Sequence, residues 1–281
     1  MYLEGFYTYL QFEKRYSKNT LEAYSKDISQ FQDFLIQEYQ SDDPELLRVN
    51  HRQVRAWVIH LMNNNVTPKS VNRKISALKT YYRFLLKNNA IAKNPMAKVV
   101  SPKIPKKLPL FVEKTGMEEL FDVLDQVYPV ETEVQRFVKQ RDRLIVELLY
   151  STGMRRAELL GLADNSFDRA QQQVKVLGKG NKERIIPVSK GLMLMADDYI
   201  AERKRIFGAG GPFIVTESGK PAYPKMIYNI VHQVLNHVTT LTRKSPHVLR
   251  HTFATHLSNN GAELNAIKEL LGHASLASTQ V

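Results

Sequence analysis

Two histidines and an arginine in the last part of the sequence have the types and spacing of a phosphate-binding site. The segment 245–251 reads Ser-Pro-His-Val-Leu-Arg-His. Pro246 suits the first turn of a helix, where its fixed φ is already helical and its missing N–H has no partner to lose. His247 and Arg250 are then three residues apart on one face of the helix, near the positive end of its dipole. This arrangement predicts an anion as the ligand.

A histidine on a half-apolar helix is more often a packed core or surface residue than a catalytic group, so His247 needs support from other segments. Apolar residues recur with helical spacing over 264–271. Gly272 is the residue type expected just past the end of such a helix. We therefore expect His273 directly after a helix end, where it could join the same site.

Two further segments could supply cations to this site. An apolar run at 144–149 predicts a buried helix closed by a glycine, and the segment 152–159 that follows reads Thr-Gly-Met-Arg-Arg-Ala-Glu-Leu. Arg155 then begins a second helix directly after a tight turn. Residues 174–188 predict two β-strands joined by Gly-Lys-Gly-Asn-Lys, with Lys179 at the tip of the hairpin.

The elements that must position these residues are mainly helical. Apolar stripes predict a helical bundle over residues 1 to about 90, including a helix that begins at Pro68. Capping boxes at Asn19–Glu22, Asn50–Gln53 and Thr115–Glu118 predict three helix starts. The basic residues expected on the outer face of the Pro68 helix are Lys69, Arg73, Lys74 and Lys79. Such a face is as consistent with solvation as with DNA contact.

A change of composition divides the chain. Residues 93–110 contain four prolines and several lysines, which predicts a semi-extended basic linker. The linker could follow a phosphate backbone or serve as a solvated spacer. We expect a helical domain at 1–92 and a second domain at 111–281, mainly α with a small β-hairpin or sheet. A third strand is expected at 213–215, and the two domains are expected to close around a duplex as a clamp.

Composition and charge limit the class of protein. The length of 281 residues fits two domains of roughly 150 residues each, and 43% hydrophobic residues can supply both cores. The absence of cysteine excludes disulfides and thiolate metal sites. We find no long apolar run and no targeting pattern, so we expect a cytoplasmic protein with no membrane partner. The formal charge of +12 favours a polyanionic partner, as in ribosomal, membrane-surface and DNA-binding proteins.

Four motifs in a fixed order carry a family resemblance. Thr-Gly-x-Arg-x-x-Glu, Gly-Lys-Gly-Asn-Lys-Glu-Arg, His-x-Leu-Arg-His and Leu-Gly-His resemble the catalytic domain of tyrosine site-specific recombinases, or integrases, most closely the bacterial Xer type (XerC/XerD-like). Segments 17–24 and 70–78 resemble the SAM-like core-binding domain of the same family. The resemblance covers nearly the whole chain.

This resemblance implies a role for each candidate residue. The catalytic residues would be Arg155, Lys179, His247, Arg250 and His273. Glu158 and His251 would orient them. DNA contacts would come from Ser17, Thr20, Lys69, Ser70, Arg73, Lys74, Lys106, Lys107, Lys182 and Arg184.

The resemblance also implies strand cleavage and rejoining through a 3′-phosphotyrosyl intermediate, without metal, ATP or another cofactor. Arginines and a histidine would hold the non-bridging oxygens, and Lys179 would protonate the leaving 5′ oxygen. The family's nucleophilic tyrosine is expected nine residues after His273, one position past Val281, and neither Tyr223 nor Tyr228 has that position. We therefore expect this polypeptide to bind DNA without forming a covalent adduct.

The resulting hypothesis is a Xer recombinase of the bacterial cytoplasm, associated with the nucleoid, that acts in chromosome dimer resolution. Its expected partners are double-stranded DNA with a palindromic site, a homo- or hetero-tetramer on that DNA, and a DNA translocase as activator. A phage or mobile-element integrase is the first alternative, although a sequence that starts directly in the core-binding pattern favours the Xer type. A non-catalytic, architectural DNA-binding protein and a metal-dependent nuclease are alternatives of other classes.

Overall fold

The fold consists of two compact units, Met1–Lys106 and Lys107–Val281, each with its own hydrophobic core. The computed structural model describes residues 2–39, 46–104, 110–126, 132–178 and 182–272. Within these ranges the protein is mainly helical with one small antiparallel sheet, which confirms the expected fold class. The limits expected for the linker, 93–110, and the clamp arrangement stay predictions.

The first unit is a helical bundle. Its helices are α1 (Tyr2–Thr8), a π-helical turn (Tyr9–Glu13), α2 (Lys18–Tyr39), α3 (His51–Asn63) and α4 (Pro68–Lys87). Phe31, Trp57 and Tyr82 are almost fully buried at its centre. The apolar stripes of the sequence form this core, because each amphipathic helix can bury its apolar face only against another.

The helix starts of the first unit test the capping predictions. Asn50 and Gln53 form the expected capping box at the start of α3. The box expected at Asn19–Glu22 is wrong, because the carbonyl of Ser17 accepts the first helical N–H bonds of α2. Asn19 is therefore already inside the first turn and cannot cap it. α4 begins at Pro68 as expected.

The expectation that Lys74 faces outward is also wrong. Lys74 is only 6% exposed, and its Nζ donates to Asp27 Oδ1 at 3.0 Å and to the side chain of Gln30. Lys74 follows Val71 by three residues and precedes Leu78 by four, so all three share the face of α4 that packs in the core. The buried ammonium is tolerated because a buried carboxylate pairs with it.

The second unit is organised around one helix whose C-terminal half is largely buried. Its helices are α5 (Lys114–Asp125), α6 (Glu133–Thr152), α7 (Arg156–Leu160), α8 (Lys190–Phe207), α9 (Pro224–Val238), α10 (Pro246–Asn259) and α11 (Leu264–Leu271). In α6, Leu144, Ile145, Leu148 and Leu149 are fully buried. α6 contacts α5, α8, α9 and α10, so it forms the centre of the core from which the neighbouring helices take their positions. α5 begins after Glu113, which makes no side-chain cap, so the capping box expected at Thr115–Glu118 is wrong.

The sheet has three antiparallel strands in the order β1 (Phe167–Asp168), β2 (Gln173–Leu177) and β3 (Glu183–Pro187). Val174 pairs with Ile186 and Val176 with Arg184. The hairpin expected at 174–188 is confirmed, but the third strand is β1 and not the segment 213–215. That segment is buried in the core and forms one isolated bridge through Val215.

Over the ranges given above, no helix has the length and apolar character needed to cross a membrane.

Candidate phosphate-binding site of the second unit

The end of α6 and the start of α10 are joined through Gly153. This residue ends α6 in the left-handed conformation, with φ of 58°. A Cβ atom there would lie 2.4 Å from Cδ1 of Phe253 and 2.8 Å from Cδ2 of Leu271. Only glycine therefore fits between α10 and α11 at this point. The Gly153 carbonyl accepts a hydrogen bond of 2.5 Å from Nη1 of Arg250.

Arg155 is fixed by Glu158 at the start of α7. The backbone N–H of Arg155 donates to Glu158 Oε2 at 2.6 Å, and its Nη1 donates to Oε1 at 2.8 Å. Its Nη2 donates to the carbonyl of Gly272 at 3.1 Å. The Arg155 side chain is 33% exposed, whereas that of Glu158 is 3% exposed. The buried carboxylate of Glu158 thus fixes the guanidinium of Arg155, which remains partly exposed to solvent.

A second arginine, Arg184 on β3, binds the same carboxylate. Its Nη1 and Nη2 donate to the two oxygens of Glu158 at 2.7 and 2.8 Å, a bidentate pair. Its Nε donates to the carbonyl of Leu270 at 2.8 Å. The side chain is 13% exposed.

A third arginine, Arg250 on α10, is buried beside them. It is 6% exposed, and its Nη2 donates to the carbonyl of Leu271 at 2.6 Å. Three consecutive carbonyls at the end of α11 thus accept hydrogen bonds from three different arginines. The last carbonyls of a helix lack helical partners and carry partial negative charge, so cations are favourable there.

The electrostatics of this cluster favour an additional anion. Burial, and then the positive charge of Arg155, lower the pKa of Arg250 to about 10, although Glu158 acts in the opposite direction. Burial acts to raise the pKa of Glu158, but the hydrogen bonds from Arg184 and Arg155 outweigh it and hold that pKa below its ordinary value. Glu158 is therefore the ionised partner of Arg155 and Arg184, and its charge also acts on the nearby Arg250. A phosphate beside Arg155 and Arg250 would offset the excess positive charge.

Two of the histidines of α10, His247 and His251, lie in its first two turns, and both are exposed. Desolvation by surrounding atoms, followed by the charges of His247 and Arg250, lowers the pKa of His251 below its ordinary value. In the part of the chain that the structure describes, no three His, Asp or Glu side chains form a group that could hold a metal ion.

Comparisons with known proteins identify the family. A family model described as "Phage integrase family" matches residues 112–281, and one described as "Phage integrase, N-terminal SAM-like domain" matches residues 3–89. The tyrosine recombinase XerC of Chlorobaculum tepidum is 36% identical over 300 residues, which cover 100% of this chain and 89% of the relative. The chain belongs to the Xer-type tyrosine recombinases. It is therefore a member of a family of DNA-recombining enzymes.

Other comparisons agree with this Xer-type assignment. XerC of Bacillus licheniformis is 36% identical over 286 residues, covering 100% of this chain and 90% of the relative. The solved structure of the XerH site-specific recombinase bound to a palindromic difH substrate has a TM-score of 0.76. It is 19% identical, and the match covers 92% of this chain and 74% of that chain, so it shows a shared fold.

The structure brings together part of the site that the Xer resemblance implied. Arg155, Glu158 and Arg250 lie in one cluster, as described above. Lys179 and His273 lie outside the described residues. The residues that precede them, Gly178 and Gly272, are described. A Cβ on Gly178 would lie 3.6 Å from Arg184 Nη1, and a Cβ on Gly272 would lie 3.3 Å from the same atom. The catalytic roles of all five residues stay predictions.

The residues expected to contact DNA differ in their surroundings. Ser17, Lys69, Arg73 and Lys182 are exposed, and Thr20 and Ser70 are half-buried. Lys106 and Lys107 lie outside the described residues. Their contacts with DNA stay predictions. Lys74 is buried, as noted for α4.

Arg184 was grouped with these DNA contacts, but its three side-chain nitrogens all bond within the protein. Sequence reasoning missed this position inside the site. The signal was the alternation of β3: Arg184 is two residues before Ile186, whose side chain is buried, so both point to the same face. An arginine on an inward face requires a buried partner.

Proposed function

We propose that this protein is a site-specific DNA recombinase that cuts and rejoins strands through a tyrosine, without metal or ATP. Membership of the Xer-type family supports the reaction class. The observation that carries the proposal is the meeting of Arg155 and Arg250 beside one buried carboxylate, Glu158, with both guanidinium groups held by fixed carbonyls. Donors that are held before the substrate arrives stabilise a charged transition state without reorganisation.

Each candidate residue has a role in the proposed reaction. Arg155 and Arg250 bind the non-bridging oxygens of the scissile phosphate, where a planar guanidinium can pair with two oxygens. His247 donates to the same phosphate and accepts the proton of the attacking tyrosine hydroxyl. Lys179 gives a proton to the leaving 5′ oxygen, and His273 contacts a remaining phosphate oxygen.

The bonds balance without an external energy source. The tyrosine oxygen forms a bond to phosphorus while the bond from phosphorus to the 5′ oxygen breaks, which leaves a 3′-phosphotyrosyl linkage and a free 5′ hydroxyl. Attack by the 5′ hydroxyl of another strand reverses the step and releases the tyrosine. The attacking tyrosine is the family's own, expected nine residues after His273 and one position past Val281.

The biological setting is part of the same proposal. Relatives called XerC that match this chain over its full length favour chromosome dimer resolution over a phage or mobile-element integrase. The substrate would be a palindromic site in double-stranded DNA, bound by a homo- or hetero-tetramer in the bacterial nucleoid and activated by a DNA translocase. The formal charge of +12 supports a nucleic-acid partner.

A covalent-capture experiment tests the reaction. The chain is extended beyond Val281 by a short segment that begins with tyrosine, and a matched extension begins with phenylalanine. Both are incubated with a nicked suicide duplex in EDTA and resolved on a denaturing gel. We expect a covalent protein–DNA adduct with the tyrosine extension alone. Specific binding without an adduct would favour the architectural alternative, and cleavage abolished by EDTA would favour the metal-dependent nuclease.

A further inference from the structure

Arg184 connects three elements of the second unit. Its Nε binds the last turn of α11 at the Leu270 carbonyl, and its Nη1 and Nη2 bind the Glu158 carboxylate of α7. Its backbone belongs to β3, the second strand of the hairpin. The side chain thus joins the hairpin to both elements that surround Arg155.

The connection extends to the two glycines that precede the remaining candidate residues. Gly178 precedes Lys179, and a Cβ on it would lie 3.5 Å from Glu158 Oε1 and 3.6 Å from Arg184 Nη1. Gly272 precedes His273, and a Cβ on it would lie 3.3 to 3.6 Å from three atoms of the Arg184 guanidinium group and its stem. The backbone therefore approaches Arg184 closely on both sides.

We propose that Arg184 is a positioning residue for strand cleavage: through Glu158 and the end of α11 it fixes Arg155, and it packs against Gly178 and Gly272, the residues that precede Lys179 and His273 in the sequence. This inference rests on the proposed function. Arg184 acts through its neighbours, because all three of its side-chain nitrogens donate to protein acceptors. It holds the donors of the site at fixed distances, and displacement of such donors by about 1 Å can reduce a rate ~10²-fold.

The chemistry of the side chain explains why arginine is required. Its planar fork meets both oxygens of Glu158 while Nε points toward Leu270. Lysine has one nitrogen and cannot make these three bonds in the same directions. Arg184→Lys therefore keeps the charge and loses the connection, whereas Arg184→Met loses both.

The test measures cleavage and binding separately, in the tyrosine-extended chain. Single-turnover cleavage of the suicide duplex is measured at saturating DNA, and the dissociation constant is measured over a range of salt concentrations. We expect Arg184→Met and Arg184→Lys to reduce the cleavage rate by ~10²-fold, with an unchanged salt dependence of binding. A direct phosphate contact would instead lower the slope of log K against log salt by about one.

A matched control removes a different charge from the same hairpin. Lys175 on β2 pairs with Glu183 at the surface, where both side chains are 56% exposed. Lys175→Met should leave the cleavage rate unchanged, because exposed pairs of this kind contribute little.

The pH profile of cleavage provides a readout that a purely structural role would not move. Three guanidinium groups face the Glu158 carboxylate. They belong to Arg155 at the start of α7, Arg184 on β3 and Arg250 on α10. Arg184 makes the strongest contribution among those that lower the pKa of Glu158. Its loss should raise that pKa, so the acid limb of the cleavage rate should move to higher pH in Arg184→Met and remain in place in Lys175→Met.

The possible results separate this inference from the proposed function. No adduct with the unsubstituted chain would contradict the proposed function itself. Normal cleavage by Arg184→Lys, or a lower salt slope without loss of rate, would overturn the positioning role. If Arg184→Met does not fold, Arg184→Lys decides, and failure of both variants to fold would show a structural residue and also overturn the inference.

Discussion

In the described part of each unit a buried carboxylate lies between two cations, but the two clusters are built differently. Asp27 is fully buried on α2 and binds Arg73 and Lys74, which are adjacent on α4. Glu158 is 4% exposed and binds Arg155 and Arg184, which come from the start of α7 and from β3. The first cluster joins two helices. The second joins a helix start, a strand and, through the same arginines, the end of α11.

The comparison shows how a buried carboxylate can serve either packing or chemistry. Beside Asp27, the ammonium of Lys74 is buried inside the bundle. The pair therefore mainly stabilises the contact between α2 and α4. Beside Glu158, a third arginine adds positive charge, and Arg155 remains partly open to solvent. The second cluster therefore keeps an excess of cationic donors that are held in place, which is what a phosphate-binding site requires.

The largest effect is expected from Glu158→Gln, which breaks the second cluster at its centre. An amide of the same shape leaves two arginines without their buried counter-charge, and removal of one partner from a buried pair costs about 3 to 5 kcal/mol. Because Arg155 is one-third exposed, we expect a value near the lower limit, with covalent capture reduced ~10²-fold or more. Denaturant unfolding and the suicide-duplex assay measure the two quantities.

The matched control for this substitution is Glu183→Gln. Glu183 also carries its charge beside a basic residue, Lys175, but at the surface. We expect a change in unfolding free energy within about 0.5 kcal/mol. Equal destabilisation by both substitutions would show that the buried cluster has no special role in the stability of the second unit.

The next effect concerns the backbone beneath the second cluster. Gly153→Ala places a Cβ within 2.4 Å of the Phe253 ring, at a φ of 58°. Left-handed backbone strain and overpacking each cost about 1 to 3 kcal/mol, so we expect a loss of roughly 3 kcal/mol in unfolding free energy. Gly161→Ala is the control, because its Cβ would meet no atom closer than 3.5 Å. Denaturant unfolding measures both variants, and an equal loss of unfolding free energy in the two would contradict this explanation.

The sequence predicts those parts of the two clusters that depend on local signals. Pro246, Gly272 and the Asn50–Gln53 pair act within a few residues, and the helix starts and ends follow from them. The hairpin also follows from the alternation of its strands. Resemblance to a family adds Glu158 beside Arg155, because its motif contains both.

The sequence does not predict features that depend on packing between distant segments. Lys74 is a basic residue in a basic stretch, and only its position relative to Val71 and Leu78 indicates burial. Arg184 bonds to Leu270, which is 86 residues away. Its partner could be expected only after β3 and α11 were placed side by side. The segment 213–215, expected as a strand, is a buried loop because its backbone bonds to side chains of distant helices: Val215 accepts from Arg141 and donates to Tyr199.

A smaller effect is expected from Asp27→Asn in the first cluster. Lys74 would lose its buried counter-charge, but Arg73 is 45% exposed and can turn to solvent. We expect a loss of about 2 kcal/mol in unfolding free energy, below the usual range for a fully buried pair. In the tyrosine-extended chain the rate of cleavage at saturating DNA should stay within about twofold, because the substitution leaves every preorganised donor of the second cluster in place. A rate loss as large as that of Glu158→Gln would remove the distinction between the two clusters.

The smallest effect separates the clusters by pH. The folded pKa of Glu158 is lowered, so its ionisation contributes stability that is fully present above the unfolded pKa and is lost as the pH falls through the folded pKa. We therefore expect the stability difference between the unsubstituted chain and Glu158→Gln to shrink as the pH falls below about 4.3, the ordinary glutamate value. Hydrogen exchange of amides in α7 and β3, measured at a series of pH values, would follow this change. A difference that stays constant to the lowest pH at which the chain folds would mean that shape, and not the charge of Glu158, holds Arg155 and Arg184 together.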